Sequence, residues 1–408
     1  TARSFYHSFP FLKVGNMMLL PNGQVRLLFI AQALYWLCSM VGITLTSLVG
    51  VQLAPYAGLA TLPLGLLVLG NLGGVHPLSL FMQRRGRRAG LMAGAWFGVA
   101  GAAIASFGVY VGDFTIFCLG ALPIGIYQAS ARYYRYVALE AVENAHKGRA
   151  AAYVTGGGVL AALVAPELAV WSRDALVVPF LGAYLAMIVM ALLAILLLTG
   201  VQQGEIPARI PNGGQVMRDL LLRPKIFAAV SISAIGQGVM VLVMTATPLA
   251  MKFCGFDVAQ SSEVIRWHFI GMFLPAFVAG PLIDRFGARK IAGIGSVILL
   301  ASAFAALLGI GFGHFLFSSL LLGLGWNLML LAGTTLLGEG HTAAERGHAQ
   351  ALMELANGIL GAMASFAAGA LIVGAGWDAV NIGMMPVVLV GLAILLVSGR
   401  IRLKSARG

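Results

Sequence analysis

Stretches of apolar sequence about 20 residues long, the length an α-helix needs to cross a hydrocarbon core, recur along the whole chain. They lie at about 27–50, 57–81, 90–110, 114–135, 150–171, 175–199, 226–251, 262–283, 290–311, 314–336, 350–373 and 377–399. Few structures tolerate such a pattern. A bilayer core offers no water to backbone N–H and C=O groups, so a spanning segment is a helix or a strand of a closed barrel. Barrel strands alternate apolar and polar residues, and these runs are continuous. The chain is therefore expected to be an all-α membrane protein with twelve transmembrane helices. Charge supports this: 10% of residues are charged, against about 25% in soluble proteins.

The net charge of +12 does not point to nucleic acid. Of the 26 lysines and arginines, all but Arg173, Lys252 and Arg266 fall at the termini or near the even-to-odd gaps, such as "QRRGRR" (83–88) and "DRFGARK" (284–290). By the positive-inside rule both termini are expected on the cytoplasmic side. Residues 1–26 lack a short apolar core followed by a small-residue cleavage site, so no cleavable leader is expected. Three cysteines, Cys38, Cys118 and Cys254, cannot build a disulfide framework. No G-x-x-x-x-G-K-[ST] loop argues for nucleotide-driven transport, and no soluble segment is large enough for an enzyme domain.

The longest internal polar stretch, 200–225, holds three prolines and adjacent glycines, the composition of a linker. It divides the chain into an N-terminal six-helix bundle (1–203), a cytoplasmic linker (204–224) and a C-terminal six-helix bundle (225–408). The halves repeat one another. "SLFMQRRGRR" (79–88) follows the second run and "GPLIDRFGARK" (280–290) the eighth, with Gly86 and Gly287 lying 201 positions apart. A repeat of this length indicates internal duplication.

Two adjacent runs carry soft donors at helical spacing. Met240 and Met244 are four residues apart, as are His268 and Met272, so each pair shares a helix face. At about 1.5 Å rise per residue, all four fall in one layer slightly beyond the midplane. Thioethers suit Cu(I), and imidazole is acceptable to it. Met is also neutral and free of the desolvation cost of a buried charge. Met pairs alone are ordinary core; an intramembrane histidine at matching depth favours a metal site.

The loop after the second and eighth runs resembles the signature of the major facilitator superfamily of transporters, roughly G-x-L-x-D-R-x-G-R-K. The second copy matches at Gly280, Leu282, Asp284, Arg285, Gly287, Arg289 and Lys290. The first departs, with Ser79 for the glycine and Gln83 for the aspartate. The resemblance implies a conformational-switch role for Asp284, Arg285, Gly287 and Arg289. M-x-x-x-M followed by H-x-x-x-M further resembles the CcoA-type bacterial copper importers, which supply cbb-type cytochrome oxidase. That resemblance implies Met240, Met244, His268 and Met272 as copper ligands. It implies no permanently bound cofactor, with copper as transported substrate and cytoplasmic copper-handling proteins as partners. It also implies a monomer in the bacterial inner membrane. A weaker parallel exists with the related riboflavin transporters.

Several other residues stand out. Met251 and Cys254 at the outer end of span seven are candidate accessory donors. Glu167 is either a proton-coupling acid, a second metal contact or a solvated group. Arg266 is expected to snorkel to headgroups, and His76 before Pro77 to mark a kink. Met40 and Cys38 are expected to pack. Gln237, Asn327 and Asn357 are expected to bond between helices or line a cavity. "RYYRY" (132–136) is expected to be an interfacial anchor. The expected function is copper import by alternating access. The alternatives are transport of an organic solute such as riboflavin, drug/proton efflux, or a membrane copper sensor that moves nothing.

Overall fold

A computed structural model describes residues 22–56, 59–203 and 213–405. Among these, twelve helices are long and apolar enough to span a membrane, and no strand occurs. Spans one to six are Gly23–Gly42, Leu62–Arg85, Arg87–Val111, Phe114–Glu140, Asn144–Arg173 and Leu181–Thr199. Spans seven to twelve are Pro224–Phe253, Ala259–Phe286, Ala288–Leu307, Phe312–Gly338, Arg346–Gly374 and Gly376–Ser398. Every expected run coincides with one of these spans. Residues 1–21 and 406–408, on which the expected placement of the termini depends, lie outside the described residues, as do 204–212 of the expected linker. The rest of that linker is helical over Gly213–Leu222.

Span six begins later than its apolar run, because Pro179 has no N–H to give an ongoing helix. The chain turns there through Phe180 at φ 67° and starts the helix at Leu181. Pro77 does not end span two, which continues as one helix to Arg85.

Spans pack closely where glycine removes the side chain. A Cβ on Gly125 of span four would lie 2.0 Å from the Leu67 carbonyl oxygen of span two, and one on Gly70 as close to Leu122 O. The outer perimeter exposes large apolar side chains such as Leu69, Phe107, Leu119, Phe304 and Phe317. On a water-facing surface, apolar area on this scale would drive association; in a bilayer it is the solvent-compatible face.

The duplication is visible in contacts as well as sequence. In the first half Arg88 donates to Thr199 O at 3.4 Å, tying span three to span six. At the matching place in the second half Arg289 donates to Leu395 O at 2.6 Å and to Ser398 Oγ at 3.0 Å, tying span nine to span twelve.

Three spans are interrupted partway. Span four breaks between helices Phe114–Ala131 and Tyr134–Glu140. Span five breaks at Gly157, between Lys147–Gly156 and Gly158–Arg173. Span eight breaks at Leu274–Pro275, between Val258–Phe273 and Ala276–Phe286. Broken helices inside a membrane are tolerated where their freed groups face protein or a cavity, and these three breaks surround the same central space.

At the loop end, Arg223 grips Glu345 in a two-pronged pair at 2.5 and 2.9 Å, and Thr342 donates to the same carboxylate. The Arg223 bonds hold the Glu345 carboxyl down to about 2. A carboxyl whose folded value lies below its unfolded value of about 4.3 contributes stability above that unfolded value and loses it as pH falls towards 2. Arg223→Ala is therefore expected to reduce stability at pH 7, read as a lower thermal midpoint, by no more than about 1 kcal/mol for a pair whose arginine is 42% exposed. The difference from the unaltered chain should vanish between pH 4.5 and 2; a gap constant down to pH 2 would mean that packing, not charge, holds this corner.

Candidate functional site

The two halves meet along a seam whose polar contacts gather at the end bearing the basic loops. Both copies of the repeated loop reach across it. Asp284 at the foot of span eight accepts from Gly148 N at 2.8 Å and Arg149 N at 3.2 Å, at the start of span five, and from Arg149 Nε at 3.0 Å. A carboxylate on the free N–H groups of a helix start is favoured by both hydrogen bonding and the helix dipole. In the first copy Gln83 donates to Ala344 O and Ser79 Oγ to Gly347 O at 2.7 Å, at the start of span eleven. These two contacts are uncharged, and an ionic cluster lies beside them. Glu140 binds Arg87 at 2.6 Å within its own half and Arg346 at 3.1 Å across the seam.

The other residues implied in the switch stay within their half. Arg289 holds span twelve as described, and Arg285 lies over the Phe286 ring at 5.2 Å. Gly287 turns the chain at φ 87°, as Gly86 does at φ 92°. At the far end Arg266 of span eight approaches Glu167 of span five at 3.7 Å and Glu263 at the same distance. All three side chains are exposed, and Arg266 is directed at carboxylates.

Between the two ends lies a cavity of about 90 Å³ lined by both halves. Its first wall is aromatic. Trp36 of span one packs against Phe273 of span eight at 5.0 Å between ring centroids, and Phe273 meets Trp326 of span ten edge-on at 6.3 Å. Tyr35 adjoins Trp36 at 5.2 Å. Amides form a second element: Gln32, Gln237 and Asn357 line the space, and Gln237 Oε1 accepts from Trp326 Nε1 at 3.0 Å. Trp36 Nε1 and Asn357 Oδ1 are buried and have no hydrogen-bond partner among the described residues.

The third element is ionic. Glu354 of span eleven is wholly buried and accepts from Arg135 Nη2, from Tyr136 Oη at 2.7 Å and from Arg132 Nη1 at 3.3 Å. Arg132, Arg135 and Tyr136 come from the broken region of span four. Arg135 also donates to Thr334 Oγ1 of span ten at 3.1 Å. A lone buried carboxylate is costly; paired and hydrogen-bonded on all sides, it is tolerated. The cluster ties the halves together inside the cavity.

This corrects the expectation for "RYYRY". It is not an interfacial anchor: Tyr133, Tyr134 and Tyr136 are fully buried, and Arg132 and Arg135 line the cavity. A sequence signal existed, since two arginines and Glu354 fall in segments that are otherwise apolar, where an ionisable residue defaults to function.

The candidate metal ligands separate. Met240 and Met272 line the cavity, and Met244 packs in the same apolar cluster. His268 is completely buried and turned to span ten, its Nδ1 2.9 Å from Ser319 O, while Nε2 has no partner among the described residues. Met251 is in the core and Cys254 half-buried at the end of span seven. Asn327 bonds between helices, donating to Met272 O at 2.6 Å. Cys38 and Met40 are packed in the interior. His76 faces His348 across the seam, ring centroids 6.1 Å apart.

Comparison with known proteins places this geometry in context. Residues 226–406 match the family model described as Major Facilitator Superfamily. The chain is 37% identical over 384 residues to the riboflavin transporter RfnT of Brucella anthropi, covering 93% of this chain and 96% of that protein. Among solved structures, it is similar to the human organic anion transporter MFSD10 (TM-score 0.76, 13% identity, 92% of this chain and 100% of that one). It is also similar to the fucose:proton symporter FucP of E. coli (TM-score 0.74, 14% identity, 93% and 98%).

Proposed function

The chain belongs to the major facilitator superfamily, and from that premise we propose that it carries a planar, hydrogen-bonding organic solute, riboflavin or a flavin like it, across the bacterial inner membrane. The observation that carries the proposal is the lining of the central cavity. Trp36, Phe273 and Trp326 offer ring faces for a flat conjugated solute. Gln32, Gln237 and Asn357 offer both donors and acceptors. Kinship with a riboflavin transporter over nearly the whole chain supports the same choice, and favours it over copper as substrate.

A cavity of about 90 Å³ is far below the roughly 300–1,000 Å³ of drug-sized ligand sites. The halves must part to admit the solute. Residues 1–203 and 225–408 are taken as the two rocking units, tethered by 204–224, with the basic end cytoplasmic. Rocking of halves around a midplane site is the alternating-access scheme expected of such a scaffold.

One observation keeps copper as a second reading: Met240 and Met272 line the same cavity, and thioethers suit Cu(I). His268 would have to join through Nε2, since Nδ1 is engaged with Ser319 O. In that reading the imported copper would serve cbb-type oxidase assembly.

The deciding experiment is uptake of radiolabelled riboflavin and, separately, of copper in cells lacking their own systems. Riboflavin uptake that depends on the chain should fall at least tenfold in Trp326→Ala at equal membrane abundance, and survive a Met240→Ala/Met272→Ala pair within a few-fold. Chain-dependent copper uptake abolished by the methionine pair, without riboflavin uptake, would reverse the assignment.

A further inference from the structure

We propose that Arg132 is the residue that reads the solute: its guanidinium engages an acceptor-rich edge or anionic group, and in doing so lets go of Glu354 in the other half. This deepens the transport assignment above and depends on it.

The two arginines at Glu354 are not equivalent. Arg135 is committed, bonded to Glu354, to Thr334 Oγ1 and, at 3.2 Å, to Tyr136 Oη. Its side chain is 11% exposed. Among the described residues Arg132 makes a single side-chain bond, 3.3 Å long, to Glu354 Oε2; its side chain is 26% exposed and lines the cavity. A guanidinium carries five N–H donors in a planar fork, so most of its hydrogen-bonding capacity remains for another acceptor.

Charge points the same way. The cavity lining holds two arginines and one glutamate. Glu354 is satisfied by Arg135 and Tyr136, which leaves Arg132 as the excess cation. A desolvated cation gains from an incoming acceptor more than a hydrated one does. The carbonyl-rich rim of a flavin-like ring, or a carboxylate or phosphate on the solute, matches the fork; a cationic solute does not. Arg132 also follows directly on helix Phe114–Ala131, whose negative dipole end favours a cation.

The position supplies coupling as well as recognition. Arg132 belongs to span four of the first half and Glu354 to span eleven of the second. A solute that draws Arg132 away removes one tie across the seam and leaves the Arg135 tie. Ligand shifts a conformational equilibrium only through different contacts in the two states, and an exchange of Glu354 for solute at Arg132 is such a difference.

The test uses the purified full chain in lipid nanodiscs. Riboflavin is the probe, followed by its own fluorescence and by the shift it causes in the thermal midpoint. Arg132→Gln is expected to weaken riboflavin affinity at least tenfold and to remove most of the solute-induced midpoint shift, with the solute-free midpoint little changed. Arg132→Lys keeps the charge without the fork and is expected to fall between, so a folding failure of the glutamine variant leaves a second reading. Affinity within twofold of the unaltered chain in either folded variant would overturn the assignment of Arg132. No binding by the unaltered chain would overturn the flavin assignment itself, and this one with it.

Discussion

Glu354→Ala is expected to abolish transport and to cost the protein about 3–5 kcal/mol, the usual penalty when one partner of a buried ion pair is removed and the other stays charged. Glu354 is fully buried and holds Arg132, Arg135 and Tyr136. Without it two guanidinium groups face each other in a low-dielectric cavity. Uptake assays and thermal unfolding of the purified chain measure the two effects. Glu354→Gln can still accept from Tyr136 and should recover part of the stability but not the transport, because the ionic tie across the seam inside the cavity is gone. Replacing Arg135 and Glu354 together by methionine should cost less stability than Glu354→Ala, since Arg132 alone, rather than Arg132 and Arg135 together, is then left without the carboxylate. Transport at the unaltered rate in Glu354→Ala would remove the ionic cluster from the mechanism.

Gly280→Leu is expected to lower transport by tenfold or more while leaving each half folded. Gly280 lies on span eight where it presses on span five. A Cβ there would sit 2.7 Å from Ala152 Cβ, 2.8 Å from Arg149 Cα and 3.0 Å from Gly148 O. None of these can swing aside, since two are backbone and the third is fixed to it. Closure of the basic end brings these surfaces together, so a bulky residue biases the protein towards the state with that end open. Gly347, at the start of span eleven where the first copy of the loop makes the matching contact across the seam, differs: the obstacle is the far end of the Gln83 side chain at 2.4 Å, which can move. Gly347→Ala should therefore retain much more activity than Gly280→Leu. Thiol-reactive labelling of a cysteine placed at the basic end should rise in Gly280→Leu. Unchanged labelling together with unchanged uptake would show that the seam does not close in the transport cycle.

The candidate site was only partly legible beforehand, and for identifiable reasons. The loop signature around Asp284 could be found because it is contiguous in sequence, but the helix start its carboxylate binds, at Gly148 and Arg149, belongs to span five of the other half. The methionine pairs could be found by spacing, but spacing on one helix does not say which neighbour that face meets. Met240 and Met272 line the central cavity, whereas His268, on the same span as Met272, is turned to Ser319 of span ten. The aromatic wall of Trp36, Phe273 and Trp326 draws on three spans, with Trp36 in the opposite half of the chain from the other two, and with no shared motif. Arg132, Arg135 and Glu354 did carry a warning in their apolar surroundings. The tyrosines beside the arginines suggested a membrane interface instead, and burial of those tyrosines reverses that.

What the sequence by itself determined is the number, length and helical nature of the spans, together with the repeat that pairs the halves. These follow from backbone hydrogen bonding in a medium without water, which leaves a continuous apolar run of about 20 residues no other folded form. What only the tertiary structure decided is which side chains share a cavity and where three of the spans break. Those depend on contacts between helices distant in the chain, and in an apolar solvent hydrophobicity cannot distinguish a face that meets lipid from one that meets protein.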